Sequence, residues 1–184
     1  MIRAAMAADI VEIARIHSVA LAETIMSKMG LPILSKLYSA LLGQPSAKIY
    51  LDEEKGEVVG IASWALSYKI ELDKNTKKEI VKQILKYPTL WMGVIERALT
   101  GQYIKLFFGY EPWLLTLAVA EEKQGGGVGT KLVEKIFAEV RLHGRNSLLV
   151  ETLIDKDKVV QFYEKLGFVR VKKIGPNIIL RKAL

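Results

Sequence analysis

The chain has 184 residues, 51% hydrophobic and 26% charged, enough to bury one substantial core and short for two typical domains, so residues 1–184 are read as a single domain. Cysteine is absent, which removes disulfides, cysteine nucleophiles and thiolate metal sites, and the only histidines, His17 and His143, are too few and too far apart for a zinc signature, so no metal is expected. The net charge of +7 suits nucleic acid, an acidic membrane surface or a polyanionic small molecule and does not choose among them.

The opening segment, Met1 to Ala20, is interrupted by Arg3, Asp9, Glu12 and Arg15 and lacks the apolar run of a secretory signal; no stretch is apolar enough to span a bilayer. A soluble, cytoplasmic protein is expected. Ile2 to Met6 reads as a short strand. Asp9 and Glu12 have the spacing of a capping box, with Asp9 accepting from a free backbone N–H and Glu12 reaching back, and an apolar stripe of Ile10, Ile13, Ile16 and Ala20 predicts a helix to about Thr24. Gly30 and Pro32 interrupt it, and Ile33, Leu34, Leu37, Leu41 and Leu42 predict a second helix closed by Gly43.

Ala47 to Leu51 and Val58 to Leu66 then read as a β-hairpin around the turn at 52–56. A helix over Lys77 to Tyr87, ended by Pro88, and another carrying Leu90, Trp91, Val94, Ile95, Ala98 and Leu99 form a two-helix insertion at about 69–110. Their apolar faces are rich enough that they must cover something: either the acceptor side of a cleft or a second copy of the chain. Trp113 to Ala120 is an apolar strand followed by a glycine-rich turn and a helix carrying Val128, Leu132, Val133, Ile136, Phe137 and Val140, with His143 and Gly144 as its cap. Leu148 to Ile154 reads as a buried strand and Val159 to Leu166 as a helix. A hairpin around Gly-Pro-Asn, Phe168 to Ile174 with Ile178 to Leu180, completes a β-α-β-α-β-β second half.

The turn Gln124-Gly125-Gly126-Gly127-Val128-Gly129 lies between strand and helix, where glycines let backbone approach a ligand and the helix N-terminus presents unpaired N–H groups and a positive dipole. That is a phosphate site by construction. A P-loop needs Gly-Lys-Ser/Thr at its end, whereas Gly129, Thr130 and Lys131 run Gly-Thr-Lys; the dinucleotide fingerprint would need a glycine where Thr130 stands. The pattern Q/R-x-x-G-x-G/A does fit, at Gln124, Gly127 and Gly129. It resembles the pyrophosphate loop of the GNAT acetyltransferases, and Phe162-Tyr163-Glu164-Lys165-Leu166-Gly167-Phe168 resembles that family's second signature beside the thioester.

The resemblance implies an α/β (α+β) fold with a mixed, mostly antiparallel central sheet flanked by helices, in which splayed strands form a cleft for acyl-CoA. It implies an acetyl-CoA-dependent N-acetyltransferase, with acetyl-CoA as co-substrate and a small-molecule or peptide primary amine as acceptor. A non-catalytic acyl-CoA-binding module is the alternative. Carried over, Leu117, Ala118 and Val119 pair with the pantetheine arm, N–H groups of Gln124, Gly125, Gly126, Gly127, Val128, Gly129 and Thr130 cradle the diphosphate, and a backbone N–H near Val119 polarises the thioester carbonyl. Tyr163 is assigned as the acid that protonates the leaving thiolate, and Lys123, Lys131 and Lys135 provide basic surroundings for an anionic cofactor. In place of the asparagine many members carry ahead of the tyrosine stand Asp155, Lys156 and Asp157, with Lys156 read as a solvated residue at the start of a helix.

Glu151, a carboxylate in an apolar strand, is weighed as a base or amine ligand against an outward-facing or paired residue, which is the preferred reading. Trp64, Tyr68, Trp91 and Tyr103 are read as core rather than pocket aromatics, His17 as a packing residue and His143 as a helix-end residue. No recognised nucleic-acid motif accompanies the positive charge, so neither nucleic acid nor membrane is expected as a partner.

Overall fold

In the computed structural model the chain is described over residues 1–68, 71–88, 91–108 and 110–184, without the side chains of Met92, Glu96, Arg97, Leu99 and Lys105. Seven strands form one sheet: β1 (Ile2–Ala4), β2 (Ala47–Glu54), β3 (Glu57–Ala65), β4 (Trp113–Val119), β5 (Ser147–Leu153), β6 (Val169–Ile174) and β7 (Asn177–Ala183). Their order is β1-β2-β3-β4-β5-β7-β6, and every pairing is antiparallel except β4 with β5. The helices are α1 (Ile10–Ala20), α2 (Ile25–Lys28), α3 (Leu31–Leu42), α4 (Lys74–Lys86), α5 (Trp91–Phe108), α6 (Val128–Leu142) and α7 (Asp157–Lys165).

Strand alternation sorts the core into two layers. Tyr50, Ala62, Leu114, Leu148, Val150, Ile178 and Leu180 point to the face covered by α6 and α7. Ile49, Leu51, Ile61, Ala65 and Ala118 point to the opposite face, under α1 and α3. Farther along that second face Trp113, Leu149 and Ile179 meet Ile104 of α5, so the insertion supplies a cover for the middle of the sheet. The α6 face shows why the period-3.6 pattern is decisive: Val128, Leu132, Val133, Ile136, Phe137 and Val140 are all buried, each contributing roughly 1.5–3 kcal/mol relative to exposure.

The element order and mixed sheet follow the sequence expectation, with local corrections. Asp9 does not cap α1 through its side chain; it is held by Arg3 at 2.7 and 2.9 Å and accepts from the Met6 N–H, while Glu12 pairs with Arg15. The first helix also stops at Ala20 rather than near Thr24. The hydroxyls of Thr24 and Ser27 donate to the Leu21 carbonyl at 2.9 and 2.7 Å, and Thr24 then caps α2, so local side-chain bonds end one helix and start the next. The hairpin turn is tighter than 52–56 and consists of Lys55 and Gly56, both at positive φ, as a two-residue turn with native twist requires. The insertion helices are longer than their apolar residues mark, and Leu90 and the Leu99 side chain lie outside the described residues. Among the described residues no helix is long and apolar enough to cross a membrane, and no group of His, Asp and Glu side chains could hold a metal ion.

Candidate active site

The parallel junction of β4 and β5 is the shortest in the sheet, with only Trp113 opposite Leu149 and Leu114 opposite Val150. Immediately beyond, Leu115 is an extra residue in β4: Ser63 of β3 pairs with Thr116 and Trp64 with Leu114. A bulge of this kind bends its strand and increases the local twist, which parts β4 from β5. From Leu115 to Val119 the far edge of β4 therefore has no partner strand among the described residues.

Alternation decides which groups face that opening. Ala120 donates to the Val59 carbonyl at 2.9 Å, so the backbone groups of Ala118, two residues earlier, also turn toward β3. Those of Leu117 and Val119 face the gap, and the Gln124 side-chain amide reaches the Val119 carbonyl from that side at 3.2 Å. Of the three strand residues singled out in the sequence, two present N–H and C=O groups to the opening and Ala118 does not.

The strand runs through the short turn Glu121–Lys123 into the glycines. Gly125 and Gly127 have φ of 78° and 84°, in the left-handed region that glycine enters without steric cost, and Gly127 is the N-cap of α6. A Cβ on either would meet nothing within 4 Å, so both border open space. Lys131 donates to the Gly127 carbonyl at 3.0 Å, so the N–H groups of the first turn ahead of it, at Val128, Gly129 and Thr130, emerge at the helix end without intrahelical acceptors. Gly126 instead donates back to the Lys123 carbonyl at 3.3 Å. Gly129 serves packing as well: a Cβ there would lie 3.4 Å from the Phe162 ring and 3.7 Å from Val119.

The lysines around this loop differ from expectation. Lys123 is paired with Glu54 at 2.7 Å and Lys135 with Glu139 at 2.9 Å, which leaves Lys131, exposed on the first turn of α6, as the member of the trio without a salt bridge among the described residues.

Where β4 and β5 part, a cavity of about 710 Å³ opens between the strands, the α1–α2–α3 segment and the N-terminal end of α5. Tyr163 of α7 lines it, 5% exposed, with its ring edge-on to Phe162 and Phe168; burial pushes its hydroxyl well above the ordinary tyrosine range. Glu151 of β5 lines it too and accepts from the Tyr68 hydroxyl at 2.7 Å, so it is both paired and turned inward. Tyr68 is the member of the four weighed aromatics that borders the cavity: Trp64 is core, Trp91 is half exposed and donates to the Ile84 carbonyl, and Tyr103 stacks on Phe107.

The opposite wall carries a buried polar chain. His17 Nδ1 and the Tyr38 hydroxyl are 2.6 Å apart, Tyr38 donates to Thr116 Oγ1 at 3.3 Å, and His17 Nε2 lies 3.4 Å from Thr24 Oγ1. Burial lowers the His17 pKa to about 4, so the ring is neutral at physiological pH. At the mouth Lys156, the N-cap of α7, forms a salt bridge with Glu23 of the α1–α2 segment.

Comparison with known proteins fits this geometry. The family model of the acetyltransferase (GNAT) domain matches residues 89–170, which include β4, the glycine loop, α6, β5 and α7. That stretch is just under half of the chain, and over it the chain is similar to the GNAT acetyltransferases. N-alpha-acetyltransferase 30 of Schizosaccharomyces pombe (strain 972) is 32% identical over 62 residues, 34% of this chain, and the chain spans 41% of that relative. Among solved structures, the ribosomal-protein-alanine N-acetyltransferase of Brucella melitensis superposes with a TM-score of 0.67 at 18% identity, covering 100% of this chain and 99% of that one. The N-acetyltransferase of Staphylococcus aureus Mu50 gives 0.67 at 15% identity, with 100% and 97% covered. The protein yncA of Salmonella typhimurium, solved with its cofactor acetyl-CoA, gives 0.64 at 19%, with 100% and 93% covered. At these identities the structures show a shared fold.

Of the residues singled out in the sequence motifs, Leu117 of β4 and Tyr163 of α7 line the cavity, and the glycine loop lies outside its lining. His17 and Tyr38, on the α1–α3 side, and Thr116 of β4, which Tyr38 reaches, belong to no motif. Gly60, an isolated glycine inside an apolar strand, signals close approach by another element, and that element is α6 rather than this wall.

Proposed function

We propose that this protein is an acetyl-CoA-dependent N-acetyltransferase acting on a primary amine, with residues 1–184 working as one catalytic domain that includes the 69–110 insertion. The observation that carries the reading is the parting of β4 from β5 after Leu114 and Val150, which leaves the Leu117 and Val119 backbone edge open and leads it into the glycine head of α6.

These groups fit acetyl-CoA, whose thioester supplies the activated acetyl group. Leu117 can offer its N–H and C=O, and Val119 its N–H, to an amide-bearing arm, the Val119 carbonyl being engaged by Gln124, and the N–H groups of Gly125, Gly127, Val128, Gly129 and Thr130, with Lys131 beside them, form an anion site at a helix N-terminus. The Val119 N–H faces the gap and is positioned to stabilise negative charge developing on a carbonyl oxygen. Glu151 lines the cavity as a carboxylate able to orient an ammonium group and take its proton before attack.

Tyr163 keeps its proton throughout the physiological range, because burial holds its hydroxyl above the usual value. A free thiol ionises near 8.5, well below that, so full transfer to the departing thiolate is uphill, and Tyr163 acts chiefly as a hydrogen-bond donor to the sulfur. Amine attack is direct, within a ternary complex, and needs no covalent intermediate on the protein.

The test is a thermal shift with acetyl-CoA, ATP and NAD, followed by thiol release with a panel of amines, for which the absence of cysteine removes background. Stabilisation by acetyl-CoA at 100 times its Kd should reach about 2.7 kcal/mol. Stabilisation by ATP or NAD but not acetyl-CoA sinks the reading. Binding without thiol release under every amine leaves a non-catalytic acyl-CoA-binding module.

A further inference from the structure

From the lining of the cavity on its α1–α3 side, and resting on the acetyltransferase reading, we infer that the acceptor is an amine with a single positive charge on an apolar skeleton, held in a subsite formed by Leu21, Ile25, Met26, Leu34, Leu37 and Leu41. These side chains come from the α1–α2 segment and from α3, and all face the cavity across from β4 and β5. They make this side of the cavity mainly apolar, with Glu23 as its one carboxylate among the described lining residues, held at the mouth by Lys156.

The charges that do line the cavity are few. Glu23 and Lys156 are joined to each other at the mouth, which leaves Glu151 as the one other carboxylate among the described lining residues. The polar chain on the α1 and α3 side is directed inward on itself: His17 is neutral and engaged with Tyr38 and Thr24, and Tyr38 with Thr116. A polyamine or an aminoglycoside brings several ammonium groups, and each would need its own carboxylate to leave water without loss. An apolar side chain on a monoamine needs only surface to bury, and this wall provides it.

The chemistry is shared by two sources, a free hydrophobic amine and the α-amine of a peptide that starts with a bulky apolar residue. The experiment separates them. The CoA complex and the free protein are each titrated calorimetrically with 2-phenylethylamine, a tripeptide amide beginning with Leu, spermidine and kanamycin, and kcat/KM is measured for each with acetyl-CoA. At least one of the two apolar acceptors should bind about tenfold or more tightly than spermidine and kanamycin, and whichever leads identifies the source.

Leu37→Asp and Met26→Asp should weaken that binding by about tenfold or more and leave acetyl-CoA affinity unchanged, with Leu37→Ala and Met26→Ala covering the case in which the charged variants fail to fold. Tighter binding of spermidine or kanamycin, or of no amine at all, overturns the inference, as does unchanged affinity in all four variants. Tight binding of an apolar amine without turnover upholds it and overturns the catalytic reading instead.

Discussion

Gly60 of β3 and Val128 at the head of α6 approach so closely that a Cβ on Gly60 would lie 2.7 Å from Val128 Cγ1 and 3.1 Å from Leu132. Gly60 also pairs with Val119, so one position sets the spacing between the open strand edge and the helix that carries the glycine loop. Gly60→Ala should push α6 outward, costing about 1–3 kcal/mol from overpacking and weakening acetyl-CoA binding. A melting curve and a calorimetric titration of the same variant check both; unchanged affinity with lowered stability would show that the loop moves with its helix as a unit.

The glycines of the loop should separate by mechanism. Gly127 sits at φ 84° beside open space, so Gly127→Val introduces backbone strain and a β-branched side chain at the anion site, whereas Gly127→Asn tolerates the conformation and should retain more affinity. Gly129→Val instead meets Phe162 and Val119 and should lower the melting temperature as well as the affinity. Equal effects of Gly127→Val and Gly127→Asn in a CoA titration would assign the loss to bulk rather than to backbone conformation.

Tyr163→Phe should keep acetyl-CoA affinity and lower kcat, because the ring still packs against Phe162 and Phe168 while the hydroxyl proposed to donate to the leaving sulfur is gone. General acid catalysis spans roughly 100- to 10,000-fold, and a hydrogen bond to a fair leaving group belongs at or below the low end. The deficit should shrink as pH falls and solvent protonates the thiolate more readily. A deficit constant with pH, together with weaker binding, would mark a packing role.

Acid should destabilise the fold in two stages. His17 is held at about 4 by burial against 6.5 when unfolded, so between those values the unfolded chain binds the extra proton. Its contribution, of the order of 3 kcal/mol, is complete above pH 6.5 and disappears as pH falls toward 4. For Glu139, burial works to raise the pKa, but hydrogen bonds from Lys135, Lys48 and Tyr50 outweigh it and bring it down to about 2 from 4.5. That contribution, about 2 kcal/mol, is present above pH 4.5 and is lost as pH falls toward 2. Denaturant midpoints measured from pH 7 to 3 should fall in both windows, and His17→Gln should flatten the upper one while Glu139→Gln flattens the lower.

The order of elements, the apolar face of α6, the glycine loop with its helix and the Tyr163 segment were legible in the chain itself, because each is written in neighbours a few residues apart: a 3.6-residue period, a strand-length apolar run, a glycine just ahead of a helix. The site needed more than neighbours. Lys123 and Lys135 read as cofactor cations until Glu54 and Glu139 come within hydrogen-bonding distance, and Glu151 reads as a liability in an apolar strand until Tyr68 meets it in the cavity. The opening itself depends on one extra residue, Leu115, counted against a partner strand some fifty residues away. Register, bulges and charge pairing are relations between distant segments, decided by packing of the whole sheet, so the local sequence carries the parts of this site and only the tertiary structure sets which of them face the cleft.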